Sequence, residues 1–317
     1  MSKIEDGILG FIVGDALGVP VEFNSRYILE KRPVVDMIGY GTYNVPVGTW
    51  SDDTSMSIAT IDSINEKGYV DYNDICDKFV SWVYKNNYNA IDRLFDIGGT
   101  CSRAIEKYMF TGDVFSGSIN NVHVGNGSLM RIAPIAYYLY CNNITDEKEI
   151  IKLCSDVSSF THAQDDAKLG CYIYVRYMMY LLDGLNKNEA YFLIKQLDYS
   201  MFDSQSIMNY SRILKFDINK YQLHQISSKG EVVDTLESVL WMFLNTDNYK
   251  SCVLGCVNLG NDTDTIAAIA GALAGIVYGK NEIPEHWINN LAKKEYLFDL
   301  ISEFEKKLNY ENKKELK

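Results

Sequence analysis

Apolar residues recur at three- and four-residue spacing along most of the chain, as in Ile75, Phe79, Trp82 and Val83. That spacing gathers them on one face of a 3.6-residue helix. The pattern predicts helices over roughly Ile4 to Leu17, Asp53 to Lys67, Tyr72 to Lys85, Gly98 to Met109, Ser128 to Cys141, Asp146 to Ser159 and Asp165 to Leu182. It predicts further ones over roughly Lys187 to Leu197, Val232 to Leu244, Tyr249 to Leu259, Thr263 to Tyr278 and Leu297 to Leu308. Period-two alternation is rare and short, so no sheet is expected and the fold class is all-α. Ile266 to Gly279 is apolar on every side, which marks a buried core helix. Gly271 and Gly275 lie one turn apart in it and would let another helix approach closely. Val34 to Thr49, rich in Gly, Pro and Tyr, reads as an ordered loop leading into a helix. Asp198 to Gly230 is more polar and less regular and reads as a surface excursion. The charged end, residues 310–317, is expected to fray.

Composition narrows the class. The 317 residues are 47% apolar, enough for a large core without disulfides. With only five prolines and no Pro/Gly/Ser-rich linker, one domain over residues 1–317 is expected. No apolar run approaches the roughly 20 residues of a membrane span. The start, Met1-Ser2-Lys3-Ile4-Glu5-Asp6, carries acids where a secretory signal needs bases. Seven scattered cysteines without a C-x-x-C point to a reduced, cytoplasmic protein, and Cys252 and Cys256 read as packing residues. The net charge of −12 repels a phosphate backbone, which argues against general nucleic-acid binding. A small phosphate-bearing ligand would need bound cations to reverse the local field.

Three constellations carry candidate chemistry. Gly48-Thr49-Trp50-Ser51-Asp52-Asp53-Thr54 opens a predicted helix. Ser or Asp there could cap free N–H groups, and one acid suffices for that. Two adjacent carboxylates flanked by hydroxyls repel each other unless a cation joins them. Gly260-Asn261-Asp262-Thr263-Asp264-Thr265 repeats the arrangement at the start of the buried helix. Together Ser51, Asp52, Asp53, Asp262, Asp264 and Thr265 offer hard oxygen donors, which suit Mg²⁺ or Mn²⁺, with Ca²⁺ as a further option, and not zinc. The four histidines form no H-E-x-x-H. The third constellation, Gly125-Asn126-Gly127-Ser128-Leu129-Met130-Arg131, could present backbone N–H groups to a phosphate, or could be a plain tight turn. It matches neither the Walker loop nor G-x-G-x-x-G.

The order and spacing of these segments resemble the ADP-ribosylglycohydrolase family, typified in bacteria by the dinitrogenase reductase-activating glycohydrolase. Further matching segments are Gly14-Asp15-Ala16-Leu17-Gly18 with Val21-Glu22-Phe23, Asp96-Ile97-Gly98-Gly99-Thr100, Pro134, Thr161-His162 and Val233-Asp234-Thr235-Leu236. The resemblance implies a compact, single-domain orthogonal helical bundle and metal-dependent cleavage of the N- or O-glycosidic bond between ADP-ribose and a modified target. The target would be an ADP-ribosylated protein or a small ADP-ribose conjugate. It also implies two divalent cations, Mg²⁺ or Mn²⁺, on Ser51, Asp52, Asp53, Asp262, Asp264 and Thr265. Gly125, Asn126, Gly127, Ser128, Leu129, Met130 and His162 would bind substrate, although a lone His is more often structural. Glu22 and Asp96 would be the catalytic acids; otherwise Glu22 is a surface residue and Asp96 a cap for the helix near Gly98. The alternatives are a hydrolase of free ADP-ribose derivatives and a silent ADP-ribose-binding member of the fold. Two departures stand out. Ala163-Gln164-Asp165-Asp166 follows Thr161-His162 where relatives often carry a Pro, and Glu231 stands where many carry an aromatic residue.

Overall fold

The computed structural model describes residues 2–120 and 123–314. Its helices are α1 (Lys3–Gly18), α2 (Arg26–Lys31), α3 (Asp52–Lys67), α4 (Tyr72–Lys85), α5 (Gly99–Thr111), α6 (Ala133–Cys141), α7 (Glu147–Ser159) and α8 (Asp165–Leu182). There follow α9 (Lys187–Ile194), α10 (Ser204–Asn209), α11 (Ser211–Leu214), α12 (Val232–Leu244), α13 (Tyr249–Val257), α14 (Thr263–Tyr278), α15 (Glu285–Asn290) and α16 (Lys294–Lys314). Among the described residues extended pairing is limited to isolated bridges, so the fold is all-α. No described helix is long and apolar enough to cross a membrane.

The centre of the bundle is an antiparallel pair, α1 against α14. Small residues set the spacing: a Cβ on Gly10 would lie 2.3 Å from the Gly271 carbonyl oxygen. One on Gly14 would lie 2.1 Å from the Ala267 carbonyl oxygen, and one on Gly18 would lie 2.3 Å from the Asp264 backbone. Backbones this close admit no side chain between them. Because the pair is antiparallel, the C-terminal end of α1 meets the N-terminal end of α14. Thr263 Oγ1 donates to the Gly18 carbonyl at 2.7 Å and fixes the meeting point. Glu22 follows α1 after a single 3₁₀ turn, Val19–Val21. Backbone bonds from Phe23 N to Asn261 O and from Asn261 N to Asn24 O, 2.6 and 2.7 Å, tie it beside Asp262.

Several sequence expectations need correction. The helix expected from Ser128 starts at Ala133, with Pro134 in its first turn, where proline's missing N–H costs nothing. The residues before it form a 3₁₀ turn, Leu129–Arg131. Asp198 to Gly230 is no surface excursion. It contains α10 and α11 and buries Phe202, Tyr210, Ile213, Leu214, Ile218 and Ile226. α2 and α15 were not anticipated, and α16 is longer than its apolar pattern suggests. The end expected to fray continues as helical backbone to Lys314, and residues 315–317 lie outside those described. All seven cysteines are free and buried.

Candidate active site

Asp15 organises the site, although the Gly14-Asp15-Ala16-Leu17-Gly18 segment gave it no role of its own. It lies in the last turn of α1 and is fully buried. Its carboxylate accepts from Ser51 N at 3.0 and 3.1 Å, from Thr54 N at 3.1 Å and from Thr54 Oγ1 at 2.6 Å. Ser51 is the N-cap of α3 and accepts from Asp53 N. The free N–H groups at the start of α3 are thus met by Asp15 and Ser51, and Asp52 and Asp53 are released from capping. On α14 the N-cap residue, Asp262, makes no side-chain capping bond. Capping therefore does not account for the paired acids.

The two acidic segments meet at Asp53. Ser51 Oγ and Thr265 Oγ1, which are far apart in sequence, both donate to Asp53 Oδ2 at 3.2 Å. Asp53 Oδ1 is buried without a hydrogen-bond partner. Asp264 Oδ1 accepts from Thr265 N at 2.9 Å, and Asp52 Oδ2 from Gly98 N at 3.2 Å. Asn126 Nδ2 donates to Asp262 Oδ2 at 2.6 Å and to Thr235 Oγ1 at 2.8 Å, so the Gly-Asn-Gly segment joins the same cluster. Asn126 N donates to Gly230 O and Val232 N to Val124 O, which pins that segment against the start of α12.

Glu22 is buried, not a surface residue, and Tyr43 donates to its Oε2 at 2.6 Å. Tyr43 arrives on the Val34–Thr49 loop and packs edge-on against Phe95. Asp96 does not cap α5, whose N-cap is Gly98. One carboxylate oxygen from each of Glu22, Asp96 and Asp264 lies within 4.8 Å of the others.

This crowding has an electrostatic signature. Burial, then Asp96, pushes Glu22 up to about 9. Burial pushes Asp15 and Asp96 up to about 6. It also raises Asp52, Asp53 and Asp264 well above the usual carboxylate range, their acidic neighbours adding to the effect. No lysine or arginine among the described residues is ion-paired with any of these acids. Buried like charges without a counter-ion hold protons or attract a cation. The orphaned Asp53 Oδ1 and the all-oxygen donor set fit a hard divalent ion.

The acids open onto a cavity of about 540 Å³, a size suited to a small-molecule ligand. Glu22, Asp52, Asp96, Asp262, Asp264 and Thr265 line it, as do Gly125, Asn126, Gly127, Met130 and His162. Ser51, Asp53, Ser128 and Leu129 lie outside the lining and are buried behind it. Sequence reasoning missed Asp15, Tyr43 and Lys229, the last being the one lysine or arginine among the described lining residues.

Fold and site together define an all-helical protein that gathers carboxylates at helix ends beside a glycine-lined cavity. A family model described as ADP-ribosylglycohydrolase matches residues 1–313. The ADP-ribosylarginine hydrolase Tri1 of Serratia proteamaculans is 30% identical over 310 residues, covering 96% of this chain and 79% of that protein. The ADP-ribosyl-(dinitrogen reductase) glycohydrolase of Rhodospirillum rubrum is 31% identical over 288 residues, covering 90% of this chain and 89% of that one. A solved ADP-ribosylglycohydrolase-related protein complex superimposes with a TM-score of 0.80 at 27% identity, covering 96% of each chain. The chain belongs to the ADP-ribosylglycohydrolase family and is a glycosidic-bond hydrolase.

Proposed function

We propose that the protein cleaves the bond between the anomeric carbon of ADP-ribose and a nitrogen or oxygen of a modified target, with an ADP-ribosylated protein side chain as substrate. The observation that carries this reading is the meeting at Asp53. Two acidic segments from opposite ends of the chain converge there and leave one buried carboxylate oxygen unsatisfied. Ser51, Asp52, Asp53, Asp262, Asp264 and Thr265 would hold two divalent cations, Mg²⁺ or Mn²⁺. Bound there, such ions supply charge neutralisation and Lewis-acid activation of water and sugar oxygens.

The protein's own groups do the rest. The backbone of Gly125 to Met130 and the edge of His162 bind the diphosphate side of the substrate. Glu22 and Asp96 flank the scissile bond. With Oε2 held by Tyr43, Glu22 has Oε1 left to take a proton from the attacking water or give one to the leaving group. The surrounding carboxylates favour the positive charge that develops on the sugar ring. The named activity of the Serratia relative supports arginine as the modified residue.

The test is release of ADP-ribose from defined ADP-ribosyl-arginine, ADP-ribosyl-serine and free O-acyl-ADP-ribose substrates, with metal-stripped enzyme and after Mg²⁺ or Mn²⁺ is restored. Turnover should be lost on stripping, return with either ion and be fastest on the arginine conjugate. Full turnover without metal, or no release from any substrate, would overturn the reading.

A further inference from the structure

Behind the glycine-lined wall of the cavity lies a cation without a counter-ion. Arg131 is fully buried, and no carboxylate among the described residues pairs with it. Its Nη2 donates to Val157 O at 3.0 Å and to Thr161 Oγ1 at 2.7 Å, while Nε and Nη1 have no partner. The rings of Phe79 and Phe160 lie 5.2 and 5.9 Å from the guanidinium carbon. Thr161 Oγ1 is also 3.0 Å from His162 Nδ1.

A guanidinium only donates, so Thr161 Oγ1 must accept from Arg131. The single hydroxyl proton then needs an acceptor of its own. Cys101 is near the same hydroxyl, but burial pushes its thiol up to about 12. As a neutral thiol it sends its own proton to Gly127 O at 3.7 Å and is a poor acceptor. His162 Nδ1 is the remaining acceptor. Burial, then Arg131, pushes His162 down to about 3, so the ring is neutral and has one proton to place. With Nδ1 accepting, that proton is on Nε2.

Nε2 is on the open edge of the ring. His162 lines the cavity. A Cβ on Gly125 would lie 3.4 Å from Nε2, and one on Gly127 would lie 2.8 Å from Cε1. The two glycines therefore leave bare the ring edge that a side chain would cover. We propose that Arg131 and Thr161 are positioning residues that fix His162 as the Nε2–H tautomer, a neutral donor held toward an acceptor oxygen of the bound substrate. A neutral imidazole neither protonates the leaving group nor adds charge to the site. It gives directional recognition at a wall whose cation, Arg131, cannot itself reach the ligand. That the ligand is ADP-ribose rests on the proposed function; the tautomer does not.

The test is the ¹⁵N spectrum of the histidine side chains, with His162 assigned by loss of its signals in His162→Gln; only four histidines are present. The relay predicts a neutral Nε2–H imidazole near pH 7 in the wild type. Thr161→Val should abolish the single-tautomer signature and weaken binding of free ADP-ribose, read by calorimetry, by roughly tenfold or more. Thr161→Ser, which keeps the hydroxyl, should restore both. A wild-type spectrum showing Nδ1–H or an imidazolium would overturn the proposal. So would a folded Thr161→Val protein with unchanged tautomer and affinity. If wild-type protein fails to bind ADP-ribose, the functional reading fails, and the spectrum from the same sample still decides the relay.

Discussion

Asp15, reaching across from α1, and Asp53, in the first turn of α3, are both buried acids, and they differ in what satisfies them. Asp15 accepts from two backbone N–H groups and a hydroxyl and leaves no role for a cation. Asp53 has two hydroxyl donors on one oxygen and none on the other. Removing Asp15 would orphan buried N–H groups, so Asp15→Ala should cost about 2–4 kcal/mol in chemical denaturation. A loss below about 1 kcal/mol, the usual worth of a surface cap, would contradict its place in the fold. His162 makes a pH prediction. Its pKa falls to about 3 in the fold against the ordinary 6.5. Between those values the unfolded chain binds a proton there and the native state does not, so stability falls as the pH drops through the window. The melting temperature of the wild type should decline more steeply than that of His162→Gln below about pH 6.5. Equal slopes would show that the ring is not held neutral.

At the scale of elements, the α1–α14 contact decides whether a site exists, because it places Asp15 and Glu22 beside Asp262 and Asp264. Gly14→Ala would put a methyl group 2.1 Å from the Ala267 carbonyl oxygen. The two helix backbones cannot both stay where they are, and a loss of about 3 kcal/mol or more is expected. Gly98→Ala is the control: φ is −60° there, a Cβ meets nothing within 4 Å, and the N–H bonded to Asp52 is kept. Ala is a poorer N-cap than Gly but restricts the unfolded chain, so the net change should stay below about 1 kcal/mol. Thermal melts of the two variants check both halves, and equal effects would contradict the contact. Long helices were legible in the sequence, most by their apolar period and α14 by its unbroken apolar run. α4, α8, α12 and α14 begin and end where the pattern places them. Asp198 to Gly230 was misjudged because its short helices offer too few residues to show a period. Its buried side chains are scattered among polar ones.

At the scale of the whole molecule, a chain of net charge −12 concentrates acids around the cavity in which the proposed function seats a phosphate-bearing sugar. The acidic motifs were legible because Asp-Asp and Asp-x-Asp at helix starts exceed what capping needs. Their partners were not. Asp15 is one acid in an otherwise apolar stretch of helix, with no second acid beside it to mark a site, and Tyr43 lies in an irregular loop. The contact of Asn126 with Asp262 joins residues that only the closed fold brings together. The proposed function depends above all on Asp53 and Asp264 being cation ligands and not helix caps. The direct measurement is Mn²⁺ binding to metal-stripped wild type, Asp53→Asn and Asp264→Asn, by calorimetry and by the rise of melting temperature with Mn²⁺. Asn caps a helix about as well as Asp, so the stripped variants should be folded, with well under about 1 kcal/mol lost to capping. The wild type should bind Mn²⁺ and be stabilised by mass action, while both variants bind it far more weakly and gain little. Wild-type affinity and wild-type stabilisation in both variants would contradict the ligand assignment.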